Sequence, residues 1–319
     1  MTDNLRFDDR VAVVTGAGRG LGRAYALLLA SRGARIVVND IGGSVTGEGS
    51  GDDAARSTVQ EIQERGGEAI ADSNDVAIPE GGQAIVDAAL DAWKRVDIVI
   101  NNAGIVRDSP FDEMTMERVQ PLLDVHLKGA FHVTLPAWKA MREQKYGRIV
   151  NTTSAAGVLG AENMSNYGAA KAGLIGLTRV LAAEGADLGI KVNAVAPIAA
   201  TRMLADAISS AGQRDDPAEQ AILDDLVDQY VQKLDPALVA PMVAFLAHQD
   251  CPVSGEIYTV GAGHVARFFI GRTKGFYDPA LSIENVREHL EEIRDHSEFT
   301  VPGGLRDEMA ELFGTIMAG

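Results

Sequence analysis

The chain has 319 residues, 46% of them hydrophobic but only 5% aromatic, and a formal net charge of −16. An aromatic-poor apolar set suits an interior of Ala, Val, Ile and Leu, as in parallel α/β folds. The acidic balance, with no basic stripe, argues against a nucleic-acid partner but leaves room for a local basic patch facing an anionic substrate.

The opening residues, MTDNLRFDDR, lack the basic-then-apolar order of a signal peptide. VAVVT (11–15) then reads as a strand buried on both faces, because it is apolar throughout instead of alternating. TGAGRGLGRAYA (15–26) follows at once and opens a helix over 20–32. Gly16, Gly18, Gly20 and Gly22, with Arg19 and Leu21 between them, leave a bare backbone at the strand-to-helix turn. Pyrophosphate can approach main-chain N–H groups and the positive helix end there. The spacing is Gly-x3-Gly-x-Gly, so the string by itself also fits a Gly-rich turn without a ligand; its place between strand and helix favours the dinucleotide site.

ARIVVN (34–39) is the second strand, and Asp40 closes it about 20 residues beyond the glycines. A carboxylate there accepts both adenosine ribose hydroxyls and repels a 2′-phosphate, which predicts NAD over NADP. Arg19 and Asn39 pull toward NADP, but like-charge repulsion at contact distance weighs more. IGGSVTGEGSGDD (41–53) is an unusually long polar loop. A helix over 52–65, a weaker strand EAIAD (68–72), a helix over 80–95 and the strand VDIVIN (96–101) follow. Asn101, Asn102, Ala103 and Gly104 end that strand, and paired amides suit the crevice at the carboxyl ends of such strands.

RIVNTT (148–153) leads to Ser154, and thirteen residues later stands Tyr167. Of the six tyrosines only Tyr167 has a lysine four positions on, Lys171. On a helix the two share a face, and a cation beside a phenol favours the phenolate, a workable base for an alcohol proton. Ser154 is placed to hydrogen-bond the substrate oxygen. Taken singly, Tyr-x3-Lys is a common helix-surface pair. IKVNAV (190–195) and EIYTV (256–260) complete the strands. Cys251, the single cysteine, rules out an internal disulfide and a Cys-based metal site; no metal is expected. Beyond residue 264 the rhythm changes to helix-like segments around SIENVREHLEEIRDH and LRDEMAELFGTI. No apolar run reaches the roughly 18 residues of a membrane helix, and TIMAG carries no peroxisomal address of the Ser-Lys-Leu kind. A soluble cytoplasmic protein with no membrane partner is expected. Repeated strand–helix–strand units imply an α/β, doubly wound, parallel Rossmann-type sheet with a C-terminal helical extension. The expected division is a dinucleotide-binding catalytic domain over 1–264 and an extension over 265–319 that packs on it or on a partner subunit. Strand order does not follow from the pattern.

TGAGRGLG, NNAG, Ser154 and YGAAK (167–171), in this order, resemble the short-chain dehydrogenase/reductase family. The resemblance implies that Ser154 polarises the substrate, Tyr167 transfers the proton, and Lys171 holds the nicotinamide ribose and lowers the Tyr167 pKa. It matches Asp75 and Val76 to the adenine-contacting pair and Asn102 to the strand-end Asn. NDIGG (39–43), VHLKGAFHVT (125–134), NYGAAKAGLIGL (166–177), LAAEG (181–185) and the tail segments VGAGHVARFFIGRTKG and LSIENVREHLEEI are similar to the (3R)-hydroxyacyl-CoA dehydrogenase branch, which also carries a 17β-hydroxysteroid dehydrogenase name. That implies oxidation of a (3R)-hydroxyacyl-CoA to the 3-ketoacyl-CoA with NAD, a homodimer, and a tail covering the active site. It also implies that the hydratase joined to this unit in eukaryotic members is a separate protein here. Two departures stand out. His126 replaces the broad family's Asn, which supports a water relay to the lysine; a relay role and a plain kink or packing role are both open. Pro197-Ile198 replaces Pro-Gly, so that loop holds nicotinamide differently, with Thr201 the residue expected at the carboxamide. A 17β-hydroxysteroid or steroid side-chain acyl-CoA is the alternative substrate, and a non-catalytic dinucleotide sensor the alternative class.

Overall fold

A computed structural model describes residues 4–200 and 233–318. By their packing the residues fall into two compact units, Met1–Arg267 and Phe268–Gly319.

The first unit is the doubly wound sheet. In chain order it contains β1 (Val11–Thr15), α1 (Gly20–Ser31), β2 (Arg35–Asn39), α2 (Asp53–Glu64), β3 (Glu68–Asp72), α3 (Pro79–Trp93) and β4 (Ile98–Asn101). There follow α4 (Met116–Leu122), a π-helical turn (Leu123–Lys128), α5 (Gly129–Gln144), β5 (Gly147–Thr152), α6 (Ala155–Leu159), α7 (Ser165–Gly185) and β6 (Ile190–Ile198). Further on come α8 (Ala240–Ala247), β7 (Ile257–Gly261) and β8 (His264–Phe268). The sheet order is β3-β2-β1-β4-β5-β6-β7-β8, and β1 to β7 pair in parallel.

Each strand supplies both cores by alternation. Ala12, Val14, Ile36, Val38, Ile98, Ile100, Val150 and Val195 turn to the face covered by α1, α2 and α8. Val11, Val13, Val37, Val99, Ile149 and Val192 turn to the face covered by α3 and α5. This is why β1 and β4 are apolar at nearly every position. At about 25 cal/mol per Å² of apolar surface, double-sided burial of Val and Ile is the chief source of the unit's stability. β3, at the edge, is buried only at Ala69 and Asp72, which accounts for the weaker pattern of EAIAD. β8 lies at the other edge, after a turn at Ala262 (φ 50°) and Gly263 (φ 77°). Its largely exposed residues carry no buried-strand signature, and the sequence reading did not include it.

The strand order reverses between β1 and β4, so the connections leave these neighbours in opposite directions and open a crevice at their carboxyl ends. Everything placed there comes from loops after strands: the Gly loop, Asp40, Asn102–Gly104 and Ser154.

The second unit contains a short antiparallel pair, Arg272–Thr273 with Phe299–Thr300, and helices Ile283–Glu288, Leu290–Arg294 and Leu305–Ala318. Ser282 and Asn285 form a reciprocal capping box. Arg272 pairs with Glu308 (3.0 Å) and Glu311 (3.2 Å). Among the described residues no helix is long and apolar enough to cross a membrane.

Candidate active site

The Gly loop is shaped for a ligand approaching its main chain. Gly16 adopts φ +63°, a left-handed conformation glycine tolerates best, and a Cβ on Gly22 would stand 2.2 Å from Gly16 O. Asn102 fixes this turn from the next strand: its Nδ2 donates to Thr15 O (3.0 Å) and Gly16 O (3.1 Å). Thr15 Oγ1 accepts from the N–H groups of Asn102 (3.0 Å) and Ala103 (3.1 Å). Gly104 adjoins the His126 ring closely enough that a Cβ would lie 2.4 Å from it. Gly20 opens α1, Leu21 packs partly buried on the core, and Arg19 stands exposed before the helix.

Asp40 sits at the rim of the cradle with both oxygens oriented by main chain. Oδ2 accepts from Gly18 N (2.8 Å) and Oδ1 from Gly42 N (2.7 Å). A carboxylate oxygen has room for further donors, so this geometry leaves acceptor capacity for a vicinal diol. Asn39, weighed above as tolerant of a phosphate, is buried, and its amide is spent on Asp72 Oδ1 (2.7 Å) and Asn74 O (2.9 Å). It has no free donor to offer. The bare Gly cradle and the Asp40 carboxylate together fit a nicotinamide dinucleotide. Asp75 and Val76 follow β3. Asp75 Oδ1 accepts from Ala77 N (2.8 Å), and the buried Val76 gives its carbonyl to His132 Nδ1 (2.8 Å). Pro197 lies on β6 opposite Val260. Thr201 lies outside the described residues.

The end of β5 and the start of α7 bring the three proposed catalytic residues together. Ser154 caps α6, its Oγ accepting from Ala156 N (3.2 Å), and its hydroxyl draws the Tyr167 pKa down. Lys171 Nζ donates to Thr152 O (2.6 Å) and lies 5.5 Å from the Tyr167 ring centre. Thr153 Oγ1 donates to Lys171 O (2.7 Å). A buried polar chain supports this floor: Asn101 Nδ2 reaches Thr134 Oγ1 (3.0 Å) and Asn151 Oδ1 (2.8 Å), and Asn151 Nδ2 reaches Thr178 Oγ1 (2.9 Å).

Electrostatics depart from the expectation that Lys171 draws the phenol down. Burial pushes the Tyr167 pKa above 10; the Ser154 hydrogen bond lowers it and the Asp108 carboxylate raises it. Lys171 is itself only 3% exposed, and burial lowers it from 10.5 to about 7.

Three residues complete the site. His126 stands in the π-helical turn, a device that re-aims a side chain within a helix. Its Nε2 lies 2.8 Å from Ile105 O and 3.1 Å from Ile105 N, and its ring meets Tyr167 edge-on at 5.3 Å. Burial and the nearby Lys171 charge hold its pKa well below 6.5, so the imidazole is neutral. Packing is thus established for it. Its Nδ1 is buried without a partner, and it lines a water-sized cavity with Thr15, Asn101 and Lys171. Asn166 and Asp108 were not singled out from the sequence. Asn166 Oδ1 accepts from Tyr167 N (2.7 Å), while its Nδ2 donates to Arg107 O (2.9 Å) and Arg118 O (3.2 Å). No local signal marks Asn166, because the carbonyls it holds, of Arg107 and Arg118, lie 59 and 48 positions away.

The family profile described as short chain dehydrogenase matches residues 10–211. A short-chain type dehydrogenase/reductase of Mycobacterium tuberculosis is 43% identical over 296 residues, 92% of this chain and 97% of that protein. Peroxisomal multifunctional enzyme type 2 of Mus musculus is 41% identical over 311 residues, 96% of this chain but 40% of that protein. The solved structure of the full-length enzyme of that name from Drosophila melanogaster has a TM-score of 0.78 at 34% identity. It covers 98% of this chain and 50% of its own. The chain therefore spans half or less of these multifunctional relatives. The matched span contains the whole crevice from the Gly loop to the Tyr167 helix, and the chain belongs to the short-chain dehydrogenase/reductase family of oxidoreductases.

Proposed function

We propose that this oxidoreductase converts a (3R)-hydroxyacyl-CoA to the 3-ketoacyl-CoA with NAD. The observation that carries the chemistry is that the end of β5 and the start of α7 bring Ser154 and Tyr167 to the buried Lys171, whose Nζ lies 5.5 Å from the Tyr167 ring centre. The similarity to multifunctional enzyme type 2 over 96% of this chain supports the substrate class, and assembly as a homodimer belongs to the same proposal.

In this reading the Gly16–Gly22 main chain, with Arg19 and Leu21 in the turn, holds the pyrophosphate at the positive end of α1. Asp40 holds the adenosine ribose. Asp75 and Val76 flank the adenine, and Lys171 holds the second ribose. Asn102, Ala103, Gly104 and Pro197 line the cleft. When bound, the nicotinamide supplies the acceptor for the hydride leaving the carbinol carbon. Ser154 donates to the substrate oxygen and holds it at Tyr167, whose phenolate form takes the hydroxyl proton. NAD is preferred because a 2′-phosphate would meet the oriented Asp40 carboxylate, and Asn39 offers that phosphate no donor.

Reduction of NAD and of NADP is followed with (3R)- and (3S)-hydroxyacyl-CoA and with a 17β-hydroxysteroid. The expected outcome is turnover of the (3R) thioester with NAD, at least about tenfold more efficient than with NADP. Preferential turnover of the steroid, or equal use of NADP, contradicts the assignment.

A further inference from the structure

We propose that Arg107 is a positioning residue that joins the long Gly-rich loop starting at Asp40 to the helix carrying Tyr167, so that adenosine held at one end of the crevice firms the proton-transferring end. The inference rests on the reading of Asp40 as the adenosine-ribose ligand and is independent of the acyl substrate.

The loop between β2 and α2 contains no regular structure, is mostly exposed, and includes glycine at 42, 43, 47, 49 and 51. Glycine loses more backbone freedom on ordering than any other residue, so such a segment keeps one path only where it is held. It is held at two places. At the base, Asp40 Oδ1 accepts from Gly42 N (2.7 Å) and Gly51 N donates to Ile41 O (2.8 Å). The two limbs meet closely there, since a Cβ on Gly42 would stand 2.0 Å from Gly51 O. At the tip, Val106 N donates to Val45 O (3.0 Å), and Arg107 Nε donates to Thr46 O (2.9 Å). Gly47, at φ +85°, lies against Ile105, where a Cβ would stand 3.1 Å from Cγ2.

Arg107 faces both ways. Its guanidinium forks, Nε to the loop tip and Nη1 to Glu117 O (3.3 Å) on α4, a division that five donors in a rigid plane allow. Its own carbonyl accepts from Asn166 Nδ2 (2.9 Å), and Asn166 Oδ1 accepts from Tyr167 N (2.7 Å). Ser109 N, two residues on, donates to Asn163 O (2.9 Å) just before the same helix. Ile105, under the loop tip, meets His126 Nε2, whose ring packs edge-on against Tyr167 at 5.3 Å. A continuous line of contacts therefore runs from the Asp40 carboxylate, through the loop and Arg107, to Tyr167. Ribose hydroxyls on Asp40 restrict the same carboxylate that anchors Gly42. Part of the ordering at residues 105–109 is then complete before the substrate arrives, and the coupling between the two ends is reciprocal.

Amide hydrogen exchange of the full chain, with and without saturating ADP, tests this. ADP carries the adenosine and the pyrophosphate but neither nicotinamide nor its ribose. In the wild type ADP is expected to slow exchange at Gly18 and Gly42, whose amides bond Asp40, and also at Ser109 and Tyr167, by at least about fivefold. Arg107→Met removes the fork. Gly47→Val parts the tip from the other side, with Arg107 intact, by forcing a branched side chain onto Ile105 at a left-handed backbone. In both variants ADP is expected to slow Gly18 and Gly42 as before, while the slowing at Ser109 and Tyr167 falls below about twofold. A merely structural role for Arg107 would speed exchange at Ser109 and Tyr167 with and without ADP alike and leave the ADP ratio unchanged. The wild-type ratio in either variant, or a wild type in which ADP slows Gly18 and Gly42 alone, overturns the inference by itself. ADP that slows none of these amides overturns it together with the cofactor reading of Asp40 and the Gly loop.

Discussion

Lys171 shows most clearly how a single residue's chemistry depends on the fold around it. An unfolded lysine keeps its proton up to about pH 10.5, whereas in the folded protein this one releases it near pH 7. The unfolded chain therefore binds one more proton across that window, and stability rises with pH. The cost of burying Lys171 is fully present at and below about pH 7 and vanishes toward pH 10.5. Replacing Lys171 by Met is expected to stabilise the ligand-free protein at pH 7 by on the order of 3 kcal/mol, with the advantage shrinking toward zero at pH 10. Denaturant unfolding at the two pH values measures this; a difference independent of pH contradicts it. The spacing of Tyr167 and Lys171 is legible in the sequence because four residues make one helical turn. The raised phenol is not, since burial is a property of everything packed around it. Asn166 is silent for a related reason: the carbonyls that it holds belong to Arg107 and Arg118, far off in the chain.

Among the elements, the turn between β1 and α1 has little freedom. A methyl group on Gly22 would stand 2.2 Å from Gly16 O and 2.6 Å from Asn102 Nδ2. Neither neighbour can yield cheaply, one being backbone and the other the clamp from β4. Gly22→Ala is expected to weaken NAD binding at least about tenfold and to cost roughly 1–3 kcal/mol of stability, read by calorimetric titration and thermal melting. Unchanged affinity would mean that the turn does not hold the cofactor. Strands buried on both faces are readable as uninterrupted apolar runs, and β1, β2, β4, β5 and β6 begin and end within about three residues of their expected limits. Edge elements are harder: β3 shows only half a signature and β8 none, because exposed faces place no apolar demand on the sequence. The π-helical turn at Leu123–Lys128 is likewise unmarked, since one extra residue in a helical turn is decided by packing and not by residue type.

At the scale of the whole molecule, the sheet's order is what turns separate motifs into a site. The reversal between β1 and β4 opens the crevice, and parallel pairing delivers Asp40, Asn102 and Ser154 to the same edge of the sheet. Alternating strands and helices predicted the class but not this order, which is fixed by how the crossovers pack and leaves no periodic trace. The account depends on the whole crevice acting through one phenol. Its most direct test is Tyr167→Phe in the full chain, with NAD affinity and NAD reduction by a (3R)-hydroxyacyl-CoA measured on the same preparation. The account predicts unchanged NAD affinity and a loss of turnover of about 10²–10⁴-fold. A variant that binds NAD and retains most of its turnover would contradict it.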